Sequence, residues 1–591
     1  MSKGFKWNRE QAEKRISVAF GRELPDLVFT NCKVFNVFTD ETEEADVAVS
    51  DGMIAGIGSY VSDEIPSERI VDLGGATICP GLIDGHIHIE SSMLTPVEFA
   101  KAVLAHGTTA VITDPHEIAN VAGIQGIRYM MEQSKNLFMD IFFVLPSCVP
   151  ATPMDESGAV LLANDLNELM DYDNVVGLAE MMNAFGTVRN DKDILDKIEV
   201  ANEAGKIVDG HAPGLSGKEL NAYVTAGVAS DHECCTADEA IEKLRLGQYI
   251  MVREGTAARN LESLLPLFDT AYYNRCLLVT DDKHPGDLLE KGHIDFIIRK
   301  AISLGADPAH AIHMATYNAA SYFGLRGKGA VAPGYFADFI VVDNIRDFNI
   351  LKTYYKGQLV SENGSLTENA ADSLNNRSID PAKFDRVFSS FNLPELKPGD
   401  FAISNSGAKR RVIGLVPGEI ITEEIIVDTD PASDVANDIV KLAVIERHKS
   451  TGHIGLGYMK GYGLKVGAVA SSVAHDSHNL IVTGTNDEDM ALAANTVRNA
   501  GGGLAVVKDG VVLGELALPV GGLMTTEDAA SVETVLSDLK KKASELGVPD
   551  GIDPFMTLAF SSLPVIPALK LTTQGLFDVR IMNYVPVSVE D

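Results

Sequence analysis

The chain has 591 residues, and 49 Lys and Arg stand against 83 Asp and Glu, a formal net charge of −34. An apolar content of 46% supports buried cores and excludes a disordered or low-complexity chain. The acidic balance argues against nucleic acid polymers and anionic membrane surfaces as partners, and the length predicts three or four domains.

The N-terminus, MSKGFKWNREQAEKR, is charged and lacks the apolar core of a secretory leader. No run approaches the roughly 18 apolar residues of a membrane span. Six cysteines (Cys32, Cys79, Cys148, Cys234, Cys235, Cys276) are too sparse for a disulfide framework and show no CxxC spacing. These features predict a soluble cytoplasmic protein.

Segment 25–80, with DLVFTNCKVFNVFTDE and ADVAVSDGMIAGIG, predicts short strands broken by Asn, Asp and Gly. From 76 to 282 eight short apolar runs alternate with amphipathic stretches. They are ATICPGLIDGHIH (76–88), TAVITDPH (109–116), IFFVLPSCVP (141–150), VVGLAEMM (175–182), KIVDGHAP (206–213), VASDHECC (228–235), YIMVREG (249–255) and CLLVTDD (276–282). Strand–helix alternation in eight units predicts a (β/α)₈ barrel. A helical stretch at 307–325 follows, and then strands at 329–343 and 350–360, which pair most simply with the 25–80 strands in one discontinuous β-domain. The polar stretch near 361–400 reads as a linker. Beyond 401, strands (AVASSV, NLIVTGT, GLAVVKDGVVLGELAL) mix with helices (DEDMALAANTVRNAG, TEDAASVETVLSDLKKKASELG), which predicts a separate α/β domain.

Polar residues close the barrel runs: His86 and His88, then Asp114, His116 and Glu117, then Glu180, His211, His232, and Asp281 with Asp282. Barrel active sites lie at the C-terminal ends of the strands, so these residues should converge. Residues i and i+2 of a strand share a side, so His86 and His88 can grip one cation. Imidazole and carboxylate suit Zn²⁺, Mn²⁺ or Fe²⁺. Six ligands (His86, His88, Glu180, His211, His232, Asp281) exceed what one catalytic zinc takes from protein, and a bridging Glu180 lets two ions sit roughly 3.5–4 Å apart. A lone strand-end histidine is more often structural; convergence of several carries the prediction. Cys234 and Cys235 read as packing residues, and His284, His293, His310 and His313 as loop or helix residues.

PGLIDGHIHIESSM resembles the amidohydrolase superfamily. DPHEIANVAG, GLAEMM, VDGHAPGLSGKELNAY, MVREGTAARNL and LVTDD, with GYGLKVGAVASSVAHDSHNLIVTG and SLPVIPALKLTTQGLFD near the C-terminus, are similar to the bacterial-type adenine deaminases. The resemblance implies hydrolysis of adenine to hypoxanthine and ammonia in purine salvage. It also implies two divalent ions, Mn²⁺ foremost with Fe²⁺ or Zn²⁺ as alternatives, and a homodimer or larger assembly. The expected division is 1–75 as the first part of a β-sandwich, 76–325 as the barrel, 326–400 as the rest of the sandwich and linker, and 401–591 as the C-terminal α/β domain. His86, His88, Glu180, His211, His232 and Asp281 match the family's metal ligands, with Glu180 in the place of the carboxylated lysine of many relatives.

In the expected mechanism metal-acidified water attacks the carbon bearing the amine. Asp281 accepts its proton and passes it to ammonia, and Glu117 or Glu180 protonates the ring nitrogen, Glu117 being preferred if Glu180 only bridges the metals. Asp114, His116, Ser92 and Arg253 are expected at the substrate, although Asp114 and His116 also suit a supporting hydrogen-bonded shell, Arg253 an ion pair with Glu254, and Ser91 or Ser92 a cap for the helix near Thr95. The dense polar run SSVAHDSHN (His475, Asp476, His478) fits either the barrel mouth or a domain interface. The competing reading is another amidohydrolase acting on a cyclic amide or N-acyl substrate.

Overall fold

A computed structural model describes residues 7–152, 154–256, 258–377, 379–403, 409–416, 421–428 and 434–589. Each of the eight apolar runs contributes a strand: Leu82–Ile87, Thr108–Thr113, Asp140–Leu145, Val175–Met181, Ile207–Gly210, Ser230–Asp231, Tyr249–Arg253 and Cys276–Val279. The first five pair in parallel as one sheet and the last three as another. Parallel bridges Val208–Val228 and Ile87–Asp281 join the two sheets into a closed barrel. At the second seam the Asp281 amide donates to the His86 carbonyl at 3.0 Å, and the His88 amide donates to the Asp281 carbonyl at 3.3 Å. Closure therefore sets Asp281 beside the two histidines of strand one.

Ile83, Ala110, Ile112, Val144, Met251, Leu277 and Val279 form one cluster that fills the barrel, joined by Ala319, Tyr322 and Phe323 from the helix region after it. Ile250, Val252, Cys276 and Leu278, one residue out of phase, belong to a different cluster. That is the period-two alternation of strands. Strand one breaks the alternation: Ile83 and His86 are three apart, yet one joins the interior and the other the mouth. The pairing of strand one with strand two slips between Asp84 and Ile87, which shifts the pleat phase and turns His86 and His88 together.

The run 76–88, expected as one strand, is two. Thr77–Pro80 leaves the barrel and pairs between Phe339–Val342 and Lys33–Asn36 in a seven-stranded sheet. A four-stranded sheet (Met53–Gly58, Asp46–Ser50, Leu27–Thr30, Ile70–Asp72) packs on it through Phe29, Val47, Ile54, Ile78, Val341 and Tyr354. The break falls at Gly81, where a Cβ would stand 2.3 Å from Thr109 Oγ1.

The 361–400 stretch is more ordered than a linker. It holds helices Glu368–Asn375 and Asp385–Phe388, and Phe384 and Phe388 set their rings 5.5 and 5.8 Å from Tyr129 of the barrel layer. A few apolar anchors in a polar sequence suffice to dock it.

In the C-terminal region eight strands follow the order Thr422–Val427, Lys409–Leu415, Ile454–Lys460, Ile439–Ile445, Leu480–Gly484, Ala468–Ser471, Gly503–Lys508, Val511–Ala517, and only the pairing of Lys409–Leu415 with Ile454–Lys460 is parallel. Ala443, Ala470, Val482 and Ala505 pack with Met490 and Val497 of helix Asp487–Asn499. Val444, Val469, Ile481 and Leu504, on the other face, join a core that includes Leu536 of helix Ala529–Glu545, Phe555 of helix Pro554–Ser561, and Ile87 and Met93 of the barrel. The sheet is buried on both faces, and one of them rests on the barrel mouth.

Gly81→Ala is expected to destabilise the fold by about 1–3 kcal/mol through overpacking, with Thr109→Ala added to it restoring part of the loss. Urea unfolding midpoints measure both; an unchanged midpoint for Gly81→Ala would show that the junction is not tight.

Candidate metal centre

Glu180 organises the mouth of the barrel. Its Oε1 lies 3.3 Å from His88 Nε2, 3.4 Å from His116 Nδ1 and 3.9 Å from His86 Nε2. Its Oε2 lies 2.8 Å from His211 Nδ1 and 3.3 Å from His232 Nε2. One carboxylate thus faces two sets of imidazoles with different oxygens. Asp281 completes the first set, its Oδ1 standing 3.1 Å from His88 Nε2 and 3.6 Å from His86 Nε2. All these side chains are buried except His211, which is partly exposed.

The donor set fits divalent cations. Among the described residues His86 Nε2 is buried without a hydrogen-bond partner, an orphan that a cation would satisfy. His88 Nδ1 lies 3.0 Å from the Asp114 carbonyl, which takes the ring proton and leaves Nε2 facing the cluster, the usual support of a metal-bound histidine. His86, Glu180 and His232, and separately His86, His88 and Asp281, bring ligand atoms within 4.8 Å of one another.

Charge in the metal-free chain is concentrated here. Burial pushes Glu180 up, but hydrogen bonds from His116, His211, His232 and His88 hold it well below the usual carboxylate range. Burial also opposes ionised Asp281, and Arg253, His86 and His88 overcome it. Burial pulls His232 down, yet Glu180 and Glu233 hold it well above an ordinary imidazole; in His88 Asp281 and Glu180 do the same against burial and His116.

Other residues singled out from the sequence fall differently. Asp282 turns away from the histidines and accepts from the Ser91 hydroxyl, so Asp281 is the one at the cluster. Ser92, expected at the substrate, is fully buried and donates to the Ile89 carbonyl at 2.6 Å, closing the turn after the HxH pair; Ser91 lines the adjoining cavity instead. Arg253 forms the ion pair, with partners other than Glu254: it grips Glu233 with two nitrogens and Asp281 Oδ2 at 2.5 Å, and its Nε has no partner among the described residues. Glu254 pairs with Lys300 at 2.7 Å. Asp114 holds His116 Nδ1 at 2.9 Å, which turns that ring toward Glu180. Cys234 bonds Asp231 and lies in the core, and Cys235 is exposed.

Glu117 does not suit the proton-donor role expected of it. His475 Nδ1 lies 2.5 Å from its Oε1, and His478 Nε2 bonds its Oε2. Burial opposes the charge, but His475, His478 and His116 hold Glu117 well below the usual range, so it is an ionised anchor. One group was missed from the sequence. Glu233 stands 3.3 Å from His232, its only signal being its place next to that histidine. Asp476, from the polar run singled out in the sequence, puts Oδ1 3.9 Å from His116 Nε2, and its Oδ2 has no hydrogen-bond partner among the described residues.

Residues 77–360 match the Amidohydrolase family, so the barrel and its buried His–carboxylate cluster define a metal-dependent hydrolase of that class. Residues 419–583 match the adenine deaminase C-terminal domain. The chain is 47% identical over 579 residues to adenine deaminase 2 of Carboxydothermus hydrogenoformans, which covers 97% of this chain and 99% of that protein. It is 45% identical over 579 residues to the adenine deaminase of Nitratidesulfovibrio vulgaris (97% and 98% covered) and 46% identical over 576 residues to that of Dehalococcoides mccartyi (97% and 98% covered). The chain belongs to the adenine deaminase family.

Glu180→Ala removes the charge shared by both imidazole sets. Bound metal, measured by elemental analysis, is expected to fall with activity; full metal content would disprove the bridging role. Metal binding also requires neutral imidazoles. Because His88 and His232 hold protons more tightly than ordinary histidines in the metal-free chain, loading at neutral pH should release protons, and affinity should rise with pH. Titration calorimetry in buffers of different ionisation enthalpy reads the release; heats independent of buffer would contradict it.

Proposed function

We propose that this chain hydrolyses adenine to hypoxanthine and ammonia at a binuclear centre. The observation that carries the reading is near-full-length identity of 45–47% to adenine deaminases in a chain whose barrel mouth holds the whole His–carboxylate set. His86, His88 and Asp281 would hold one cation, His211 and His232 the other, and Glu180 both. When bound, two divalent cations supply the Lewis acidity that makes water a nucleophile near neutral pH. Mn²⁺ is the first choice, with Fe²⁺ or Zn²⁺ compatible with the same donors.

The chain's own groups supply positioning and proton transfer. Arg253 occupies Asp281 Oδ2 and keeps that carboxylate ionised, so Oδ1 remains to accept the proton of the attacking water and to return it to departing ammonia. The Asp114–His116 pair sets one side of the mouth and keeps His116 against Glu180. Arg253, paired with two carboxylates, keeps Glu233 beside His211 and His232. The acidic surface does not oppose a neutral purine that carries no phosphate. Six free cysteines suit a reducing compartment, in keeping with a cytoplasmic salvage enzyme, and no helix among the described residues is long and apolar enough to cross a membrane.

Protein loaded separately with manganese, iron or zinc should release ammonia from adenine and not from adenosine, guanine or cytosine, and chelation should abolish the activity. Ammonia from a cyclic amide or N-acyl substrate, with none from adenine, would support a different member of the class.

A further inference from the structure

The segment SSVAHDSHN is buried over the barrel mouth, and the roles above leave it unused. It leaves strand Ala468–Ser471 and reaches helix His116–Ala122, where two of its imidazoles take both oxygens of Glu117 across the domain interface.

The two histidines are not equivalent. His478 Nδ1 accepts from the Ala474 amide at 3.0 Å, so its proton sits on Nε2 and is directed at Glu117. Its backbone is held in the left-handed region (φ 52°), and the buried Arg447 donates from Nε to its carbonyl at 2.5 Å. Both ring nitrogens of His478 are spent, and it serves as an anchor. His475 uses only Nδ1. Its ring stacks on Phe560 (centroids 4.9 Å apart, planes 19° apart), and among the described residues its Nε2 has no hydrogen-bond partner. His475 lines a small, partly open cavity with Ser91, Met93, Asp282, Phe555 and Met556, between the barrel and the C-terminal domain. The charged and titratable groups facing it are Glu117 and Asp282 from the barrel, Asp476 and His478 from its own loop, and His284 across the cavity. Burial pulls the imidazole down, but Glu117, Asp282 and Asp476 push it up to about 10, so it is charged at neutral pH.

A carboxylate bound to one ring nitrogen fixes the orientation and tautomer of an imidazole and leaves the other nitrogen for proton transfer. We propose that His475, held through Nδ1 by Glu117, is the acid that protonates the purine ring nitrogen beside the attacked carbon, a catalytic residue supplied by the C-terminal domain. The inference rests on the adenine reading above. The protons balance. As water oxygen bonds to the carbon, Asp281 takes the water proton and His475 Nε2 gives one to the ring nitrogen. As the carbon–amine bond breaks, Asp281 passes its proton to ammonia. The new hydroxyl returns one to His475 as it becomes the carbonyl of hypoxanthine. Glu117 is then a positioning residue.

His475→Asn keeps a donor at the Nδ1 position and removes the transferable proton. It is expected to retain two metals per chain, to keep KM within about threefold, and to lose about 10²–10⁴-fold in kcat, the usual range for general acid–base catalysis. Glu117→Gln removes the charge that holds the imidazole protonated, so the alkaline limb of its kcat–pH profile should move to lower pH, a shift that a purely structural role would not produce. A kcat for His475→Asn within threefold of wild type, or an alkaline limb unmoved in Glu117→Gln, overturns the inference and leaves adenine deamination standing. Wild-type protein releasing no ammonia from adenine overturns both.

Discussion

The site depends on one buried carboxylate shared by five imidazoles. Glu180 reaches His86, His88 and His116 with one oxygen and His211 and His232 with the other. An isolated ionised carboxylate in a closed interior would cost several kcal/mol. Here the cost is offset by the imidazoles around it and, when ions are bound, by their charge. The same arrangement makes the residue hard to replace, because removing it leaves a crowd of basic rings with no counter-charge. Arg253 and Asp281 repeat the logic on a smaller scale: a guanidinium holds one carboxylate oxygen so that the other is left facing the histidines.

Barrel closure brings these groups together. The hydrogen bonds between His86, His88 and Asp281 belong to the seam that joins strands one and eight, residues nearly 200 apart in the chain. The slip in strand one then turns the HxH pair to the mouth while Ile83 stays in the interior. The mouth is roofed by the C-terminal sheet, which buries one face on the barrel core and sends the His475–His478 loop down to Glu117. Buried carboxylate–imidazole contacts across the interface tie the orientation of that sheet to the chemistry below it.

Much of this is legible in the sequence. The eight apolar runs and the C-terminal helices and strands fall where period-two and period-3.6 patterning put them, because strongly periodic segments reflect burial directly. His86, His88, Glu180, His211, His232 and Asp281 could be picked from their places at strand ends, since the fold sends every such residue to one rim. Other features left little local trace. The run 76–88 looks continuous because Gly81 is small, and only the approach of Thr109 shows why the chain changes sheets there. The polar 361–400 stretch hid its order in a handful of apolar anchors such as Phe384 and Phe388. Ser92 and Ser91 are indistinguishable in sequence, and a single turn decides which one faces the cavity.

The sequence by itself determined the barrel, the family and the identity of the charged rim, because periodicity, strand-end position and motif are local properties of the chain. Only the tertiary structure decided how that rim is shared: Asp281 and not Asp282 at the histidines, Arg253 in an ion pair, Glu117 clamped by two histidines nearly 360 residues away. The physical reason is that a buried ionisable group takes its role from the charge and hydrogen-bond partners folding brings to it. For Glu117 those partners lie in another domain, at a sequence separation that no local pattern encodes.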